Sequence, residues 1–281
     1  MKKIVLSIAL FLFFQTGFAW NSEGHRVIAQ IAYDHLTPIA KSTVDQLTAS
    51  LFHSKYADDR FLEAATWPDD IKKETNRYNH WHYINLPDIQ NSVIAPILNQ
   101  HNVVWAITQS EEALENPTQF HRFSQSEYLS FLIHFIGDIH QPLHCITQYN
   151  NHFLPPLGDQ GGNLYFIHDQ FATNLHRFWD EGLGLFYAQN QHKINYFHVI
   201  NIAKKFEQDY PPRFFKQKLL DDAPATWAHD SFELAKADAY AISENTTPTL
   251  SYIQQGQMIS EEQATLAGYR LAKVLNKIFN R

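Results

Sequence analysis

A chain of 281 residues, 44% hydrophobic and 14% aromatic, has enough apolar mass for one large domain or two small ones. Its 22 basic and 29 acidic residues give a formal charge of −7. That balance excludes gripping a polyanion by surface charge alone, so any hold on phosphate must come from elsewhere, and bound cations would provide it.

At the start of the chain, Lys2 and Lys3 precede an apolar run over residues 4–14. Gly17-Phe18-Ala19 then supplies small residues flanking a peptidase cut. The rival reading is an uncleaved anchor, but the run falls short of the roughly 20 residues a span requires, and Gln15 and Thr16 interrupt its end. The expected organisation is a signal peptide over residues 1–19 and one mature domain over 20–281, secreted or periplasmic, with no membrane anchor after cleavage. Cleavage makes Trp20 an amino terminus, and a free α-amine is a nitrogen ligand that a chain interior cannot supply.

Apolar residues at three- and four-residue spacing predict helices over 25–36, 40–51, 62–72, 102–112, 125–139, 174–179, 201–207, 224–241 and 260–280. Ser260-Glu261-Glu262-Gln263 reads as a capping box opening the last of these. Pro142 is expected to end or kink the helix that carries His134 and Asp138. Strand signals are scarce. Residues 164–167 (LYFI), after Gly161-Gly162, are the best candidate, half of a short hairpin. Residues 149–162, with prolines at 155 and 156 and glycines at 158, 161 and 162, read as a loop. The fold class is all-α: a mostly helical single domain with at most a short β-hairpin, free of internal repeats and low-complexity linkers.

Histidine and aspartate recur along the chain at metal-ligand spacings. Residues four apart share a helix face, so His134-Phe-Ile-Gly-Asp138 aims an imidazole and a carboxylate at one point, and His176-Arg-Phe-Trp-Asp180 repeats the device. Gly137 beside Asp138 lets another element approach closely. Imidazole and carboxylate without thiolate suit zinc in an open, catalytic setting. Each piece also has a plain reading. Such pairs occur as surface contacts on helices; of the 16 His, only His134, His140 and His176 have a His or Asp four residues later. His82 alone reads as structural between Trp81 and Tyr83, Asp69 after Trp67-Pro68 as a cap or turn residue, and His25 as a surface residue near a helix start. The lone Cys145 can form no internal disulfide. It follows His144 and is read as a buried small apolar residue rather than an adventitious ligand.

The order of these pieces carries a resemblance. Trp20 with Gly24-His25, Ala65-Thr66-Trp67-Pro68-Asp69 and Trp81-His82-Tyr83-Ile84-Asn85 come first. Then follow the block from Phe131 through His134 and Asp138 to His144, Gly158-Asp159-Gln160-Gly161-Gly162-Asn163, and Asn174-Leu175-His176-Arg-Phe-Trp-Asp180. Trp227-Ala228 and Ala267-Gly268-Tyr269-Arg270-Leu271-Ala272 close the series. Together they resemble the exported zinc-dependent single-strand nuclease and 3′-nucleotidase family of the S-one/P-one type, related in fold to zinc phospholipase C, over nearly all of the mature chain.

The resemblance implies three Zn²⁺ ions. Asp69, His82, His134 and Asp138 would hold one. Trp20 (through its α-amine and carbonyl oxygen), His25 and Asp138 would hold a second, with Asp138 bridging. His144, His176 and Asp180 would hold the third. It also implies a substrate: a phosphodiester in single-stranded RNA or DNA, or a 3′-nucleotide, with no stable protein partner. Asp69 would orient or deprotonate the attacking water. Lys72, one turn beyond, would reach a phosphate oxygen or else be a solvated surface lysine. Asn163 would donate to the phosphate or else serve its turn. Tyr83 is the candidate base platform, with a core role as the alternative, and Asn85 stands where relatives often have Asp. The eukaryotic relatives' disulfides are impossible here, and the stretch between His144 and Gly161 is long. Two other functions compete: a zinc phospholipase C, whose last pair typically ends in Glu rather than Asp180, and a non-catalytic zinc-binding exported protein.

Overall fold

A computed structural model describes residues 20–186 and 195–280. The signal peptide expected over residues 1–19 lies outside the described residues. The architecture is helical, as expected. Helix α1 (Ser22–Asp34) is opened by Asn21, whose side chain accepts the Glu23 and Gly24 N–H groups. Helix α2 (Pro38–Ala49) starts with Thr37 as cap and Pro at its first position. Short helices α3 (Ala57–Ala64) and α4 (Trp67–Asp70) follow, then α5 (Val103–Glu115), capped by Asn102. Helix α6 (Gln125–Asp138) begins with a reciprocal capping box between Ser124 and Glu127. The remainder are α7 (Leu175–Asp180), α8 (Tyr196–Asp209), α9 (Pro224–Leu234) and α10 (Leu250–Phe279).

Helix α6 sits at the centre: every residue from Tyr128 to Asp138 is buried, including the polar stripe Ser130, His134 and Asp138. A helix buried on every side must be enclosed, and α5, α10, α4 and α1 pack around it. The main core gathers Phe131, Phe135, Ile28, Leu132 and Trp81. A second, smaller cluster joins Leu143, Ile146, Leu175, Trp179 and Leu183 to Ile259 of α10.

The structure corrects the expected elements in three places. No strand forms over residues 164–167. Turns after Gly162 engage this stretch, Tyr165 donates its hydroxyl to the Ile242 carbonyl, and only a single antiparallel bridge links Phe166 to Asn174. The sheet lies elsewhere and is parallel, not a hairpin: β1 (Leu86–Ile89) pairs with β2 (Ile146–Tyr149), Leu86 opposite Ile146 and Ile89 opposite Tyr149. Pro87 and Asp88, both poor strand formers, conceal β1 in the sequence. The helix expected over 62–72 is broken. Pro68 has no N–H to return to the Ala64 carbonyl, so the chain restarts at α4 and closes with a 3₁₀ turn at Ile71–Lys73. The last helix starts at Leu250 with Thr249 as its cap, not at Ser260, which is buried in its interior. Gly256, packed against Leu183, weakens the local helix signal that would have extended it.

Candidate metal centre

Helix α6 delivers the first two ligand candidates. His134 and Asp138 lie one turn apart, fully buried. The break before α4 releases the Ala65 carbonyl, and His134 Nδ1–H donates to it at 2.7 Å. That bond fixes the tautomer and leaves Nε2 as a lone-pair donor. His134 Nε2 stands 3.4 Å from Asp138 Oδ2 and 3.6 Å from Asp69 Oδ1. His82, from the 3₁₀ turn Asn79–His82, brings Nδ1 to 3.0 Å from both His134 Nε2 and Asp138 Oδ2. Asp69, His82, His134 and Asp138 therefore lie together.

His25 enters from α1. Its ring stacks on His134 with centroids 3.9 Å apart, and Nε2 lies 3.3 Å from Asp138 Oδ1. Gly137 permits this approach: a Cβ there would stand 2.8 Å from His25 Nδ1. Trp20 is completely buried beside it, its indole N–H donating to the Gly137 carbonyl at 3.1 Å. The next residue, Asn21, donates its backbone N–H to the Asp180 carbonyl at 2.9 Å.

The third group follows the same plan. His144 Nδ1–H donates to the His82 carbonyl and His176 Nδ1–H to the Gly161 carbonyl, each at 2.7 Å. Their Nε2 atoms lie 3.8 and 3.7 Å from the Asp180 carboxylate. Among the described residues, three buried sets bring their ligand atoms within 4.8 Å of one another: His25 with His134 and Asp138, Asp69 with His82 and His134, and His144 with His176 and Asp180.

The donor chemistry fits metal ions. Burial holds the imidazoles neutral, the ligand form: His134 and His176 titrate near 4, and His25, His82 and His144 are held well below their ordinary value. Burial likewise drives Asp138 and Asp180 well above the usual carboxylate range, with Asp69 adding to the rise at Asp138. A bound dication reverses that cost and holds both as carboxylates. Several buried atoms in these groups have no hydrogen-bond partner: His25 Nε2 and Asp138 Oδ1 in one, His144 Nε2 in another. Left without a partner, such atoms are expensive, and a cation in each group would satisfy them.

The remaining candidates sit around these groups. Lys72 is not a solvated lysine; its side chain is 6% exposed and Nζ lies 2.7 Å from Asp69 Oδ1. Asn163 donates its amide to the Gln160 carbonyl at 3.0 Å, which is its turn role, and stays half-buried. Tyr83 is half-buried rather than part of the core, its hydroxyl 2.8 Å from His80 Nδ1. Asn85, also half-buried, lies on the short link from His82 to β1. Cys145 is buried and donates to the Ile139 carbonyl at 3.4 Å; burial pushes its thiol far up, and it belongs to none of the three groups. His140 is structural, bonded to Arg270 and the Ile136 carbonyl.

Two residues with a part in this geometry went unassigned in the sequence. Gln141 donates to Asp180 Oδ1 at 2.6 Å and accepts the Leu143 N–H. Asp159 organises the turn whose Gly161 carbonyl receives His176. Both lie inside the motif blocks quoted above, and that position was their only signal.

A family model described as S1/P1 Nuclease matches residues 20–280. Endonuclease 4 of Arabidopsis thaliana is 29% identical, covering 93% of this chain and 89% of the relative. Endonuclease 3 of the same plant is 26% identical with the same coverage. Nuclease S1 of Aspergillus oryzae is 25% identical, covering 99% of this chain and 98% of the relative.

Proposed function

Because the chain belongs to the S1/P1 nuclease family, and so is a hydrolytic phosphodiesterase, we propose that it is an exported three-zinc enzyme cutting single-stranded RNA and DNA to 5′-phosphate products, with 3′-nucleotidase activity. The observation that carries this reading is the convergence of three buried His and Asp sets, each with at least one imidazole oriented by a backbone carbonyl. Asp69, His82, His134 and Asp138 hold the first ion. The Trp20 α-amine and carbonyl oxygen, His25 and Asp138 hold the second. His144, His176 and Asp180 hold the third. When bound, zinc lowers the pKa of water and polarises phosphoryl oxygens.

Export supplies the amine, because removal of the leader after Ala19 frees the backbone nitrogen of a residue already anchored beside Asp138 through Gly137. The side chains then have distinct work. Asp69 orients the attacking water and takes its proton. Attack in line with the 3′ oxygen forms the new P–O bond and breaks P–O3′; the departing 3′ oxygen takes a proton from solvent, leaving a 5′-phosphate and a 3′-hydroxyl. Lys72, already held against Asp69, contacts a phosphate oxygen as a point charge. The Asn163 amide has a second N–H beyond the one given to Gln160, and it donates to the phosphate.

Tyr83 offers its ring to a base, and Asn85 reads that base's edge with an amide that both donates and accepts. A base held this way must leave its stack, which costs least when it is unpaired. Family membership favours nucleic acid over a choline lipid as substrate. The test is metal analysis of signal-cleaved protein beside hydrolysis of single-stranded RNA, with and without chelator. About three zincs per chain and chelator-sensitive release of 5′-mononucleotides are expected. Bound zinc without nucleic-acid cleavage would overturn the substrate, and absence of zinc would overturn the ligand assignment.

A further inference from the structure

We propose that Asp159 is the positioning residue of the third metal group, acting on His176 through the carbonyl of Gly161; the inference rests on the functional reading above. Asp159 is completely buried and, among the described residues, makes no ion pair. A lone buried carboxylate is costly unless donors surround it. Here four do. Oδ1 accepts the N–H of Gln148 at 2.8 Å and of Gly161 at 3.2 Å, while Oδ2 accepts the N–H of Gly162 at 2.9 Å and the Tyr240 hydroxyl.

This arrangement needs a carboxylate. All four neighbours donate, and an asparagine would present N–H groups to two of them. The Gly162 N–H lies in the same peptide plane as the Gly161 carbonyl, so its bond to Asp159 fixes the acceptor that orients the ring of His176. The Gly161 carbonyl accepts its Nδ1–H at 2.7 Å, and the Gly162 carbonyl accepts its backbone N–H at 3.3 Å. The turn tolerates no side chain at Gly161, where φ is +62° and a Cβ would stand 2.4 Å from the Leu143 carbonyl. Asp159 also ties two other segments to the glycine turn: β2 through Gln148 and the chain beyond α9 through Tyr240. The direction of Nε2, and with it the third ion, is set by a residue that never touches metal.

The experiment measures zinc retained by wild-type protein, Asp159→Asn, His176→Ala and Tyr240→Phe across chelator-buffered free zinc. Removing an orienting partner typically weakens a metal site by about 10–100-fold. Asp159→Asn is therefore expected to need that much more free zinc for its last ion, while the other two bind as in wild type. His176→Ala is the benchmark and should lose that one ion outright. Tyr240→Phe keeps all three backbone donors and should retain its last ion near the wild-type concentration. Equal third-ion affinity in wild type and Asp159→Asn would overturn this inference alone. So would simultaneous loss of all three ions from Asp159→Asn, or a Tyr240→Phe defect as large as that of Asp159→Asn. A wild-type protein saturating below three zincs would overturn the functional reading and this inference with it.

Discussion

Replacing Gly137 with alanine places a methyl group 2.8 Å from His25 Nδ1 and 3.0 Å from its Cε1. Ordinary contact begins at 3.4 Å, so the ring must retreat by about 0.6 Å (3.4 less 2.8), more than the ~0.5 Å within which a working site is held. His25 stacks on His134 at 3.9 Å and points Nε2 at Asp138 from 3.3 Å. The retreat disturbs the stack, the aim, or both. Overpacking of this kind costs ~1–3 kcal/mol of stability, against which alanine in a helix interior returns ~0.5–1 kcal/mol. The chelated variant should therefore unfold at most about 10 °C below wild type, at ~2–4 °C per kcal/mol for a large domain. Zinc affinity at the His25–Asp138 position should fall by about 10–100-fold, the usual loss when a ligand is misplaced by its surroundings. Chelator-competition titration reads the affinity, thermal unfolding of the chelated protein reads the fold, and single-stranded RNA hydrolysis reads the consequence. A Gly137→Ala protein with wild-type zinc affinity and wild-type activity would refute the claim that this close approach positions His25.

His134 belongs to two of the three groups, so His134→Ala should lose at least one zinc per chain together with its activity; equal zinc content and full activity would sink the assignment. In chelated protein, the folded state keeps His134 and His176 neutral down to about pH 4, whereas the unfolded chain protonates them from 6.5. Six buried imidazoles are shifted down this way, while a larger set of carboxylates, Glu111, Asp138, Asp159 and Asp180 among them, is shifted up and acts in the opposite sense. The unfolded chain takes up a proton at His176 that the folded state refuses until about pH 4, so wild type should lose more stability than His176→Ala as pH drops from 6.5 to 4. Urea unfolding across that window checks the sign. Tyr83→Ala should raise KM for unpaired substrates by about 5–150-fold, from ~1–3 kcal/mol of base stacking; unchanged kinetics would remove the platform.

The candidate ligands were legible because each belongs to a chemically distinctive pair or block. His134 and Asp138 share a helix face by spacing alone, and Gly137 signalled a close approach that His25 makes. Their orientation was not legible. The acceptors that fix His134, His144 and His176 are the carbonyls of Ala65, His82 and Gly161, and a backbone carbonyl leaves no mark in a sequence. One of them exists only because Pro68 breaks a helix that apolar periodicity extends straight through. The strand pair was hidden for a related reason: its partners are four residues each, some sixty positions apart, and parallel pairing has no hairpin turn to announce it. Asp159 stood in plain view inside a motif, but its role depends on Tyr240, 81 positions away.

That strand pair separates variable parts from fixed ones. β1 leaves directly from the segment holding His82, and β2 from the segment holding His144. The two are stitched at their origin, where Ile84 N–H donates to the His144 carbonyl at 2.8 Å and His144 returns a bond to His82. A slip of one residue would move one ligand by ~3.3 Å against the other and turn every side chain over. Beyond the pair, the chain runs out into residues 90–101 on one side and 150–158 on the other. Length changes in residues 90–101 fall beyond the ladder, which should hold His82 and His144 in register through them, whereas residues 150–158 lead back to Asp159 and the turn that orients His176.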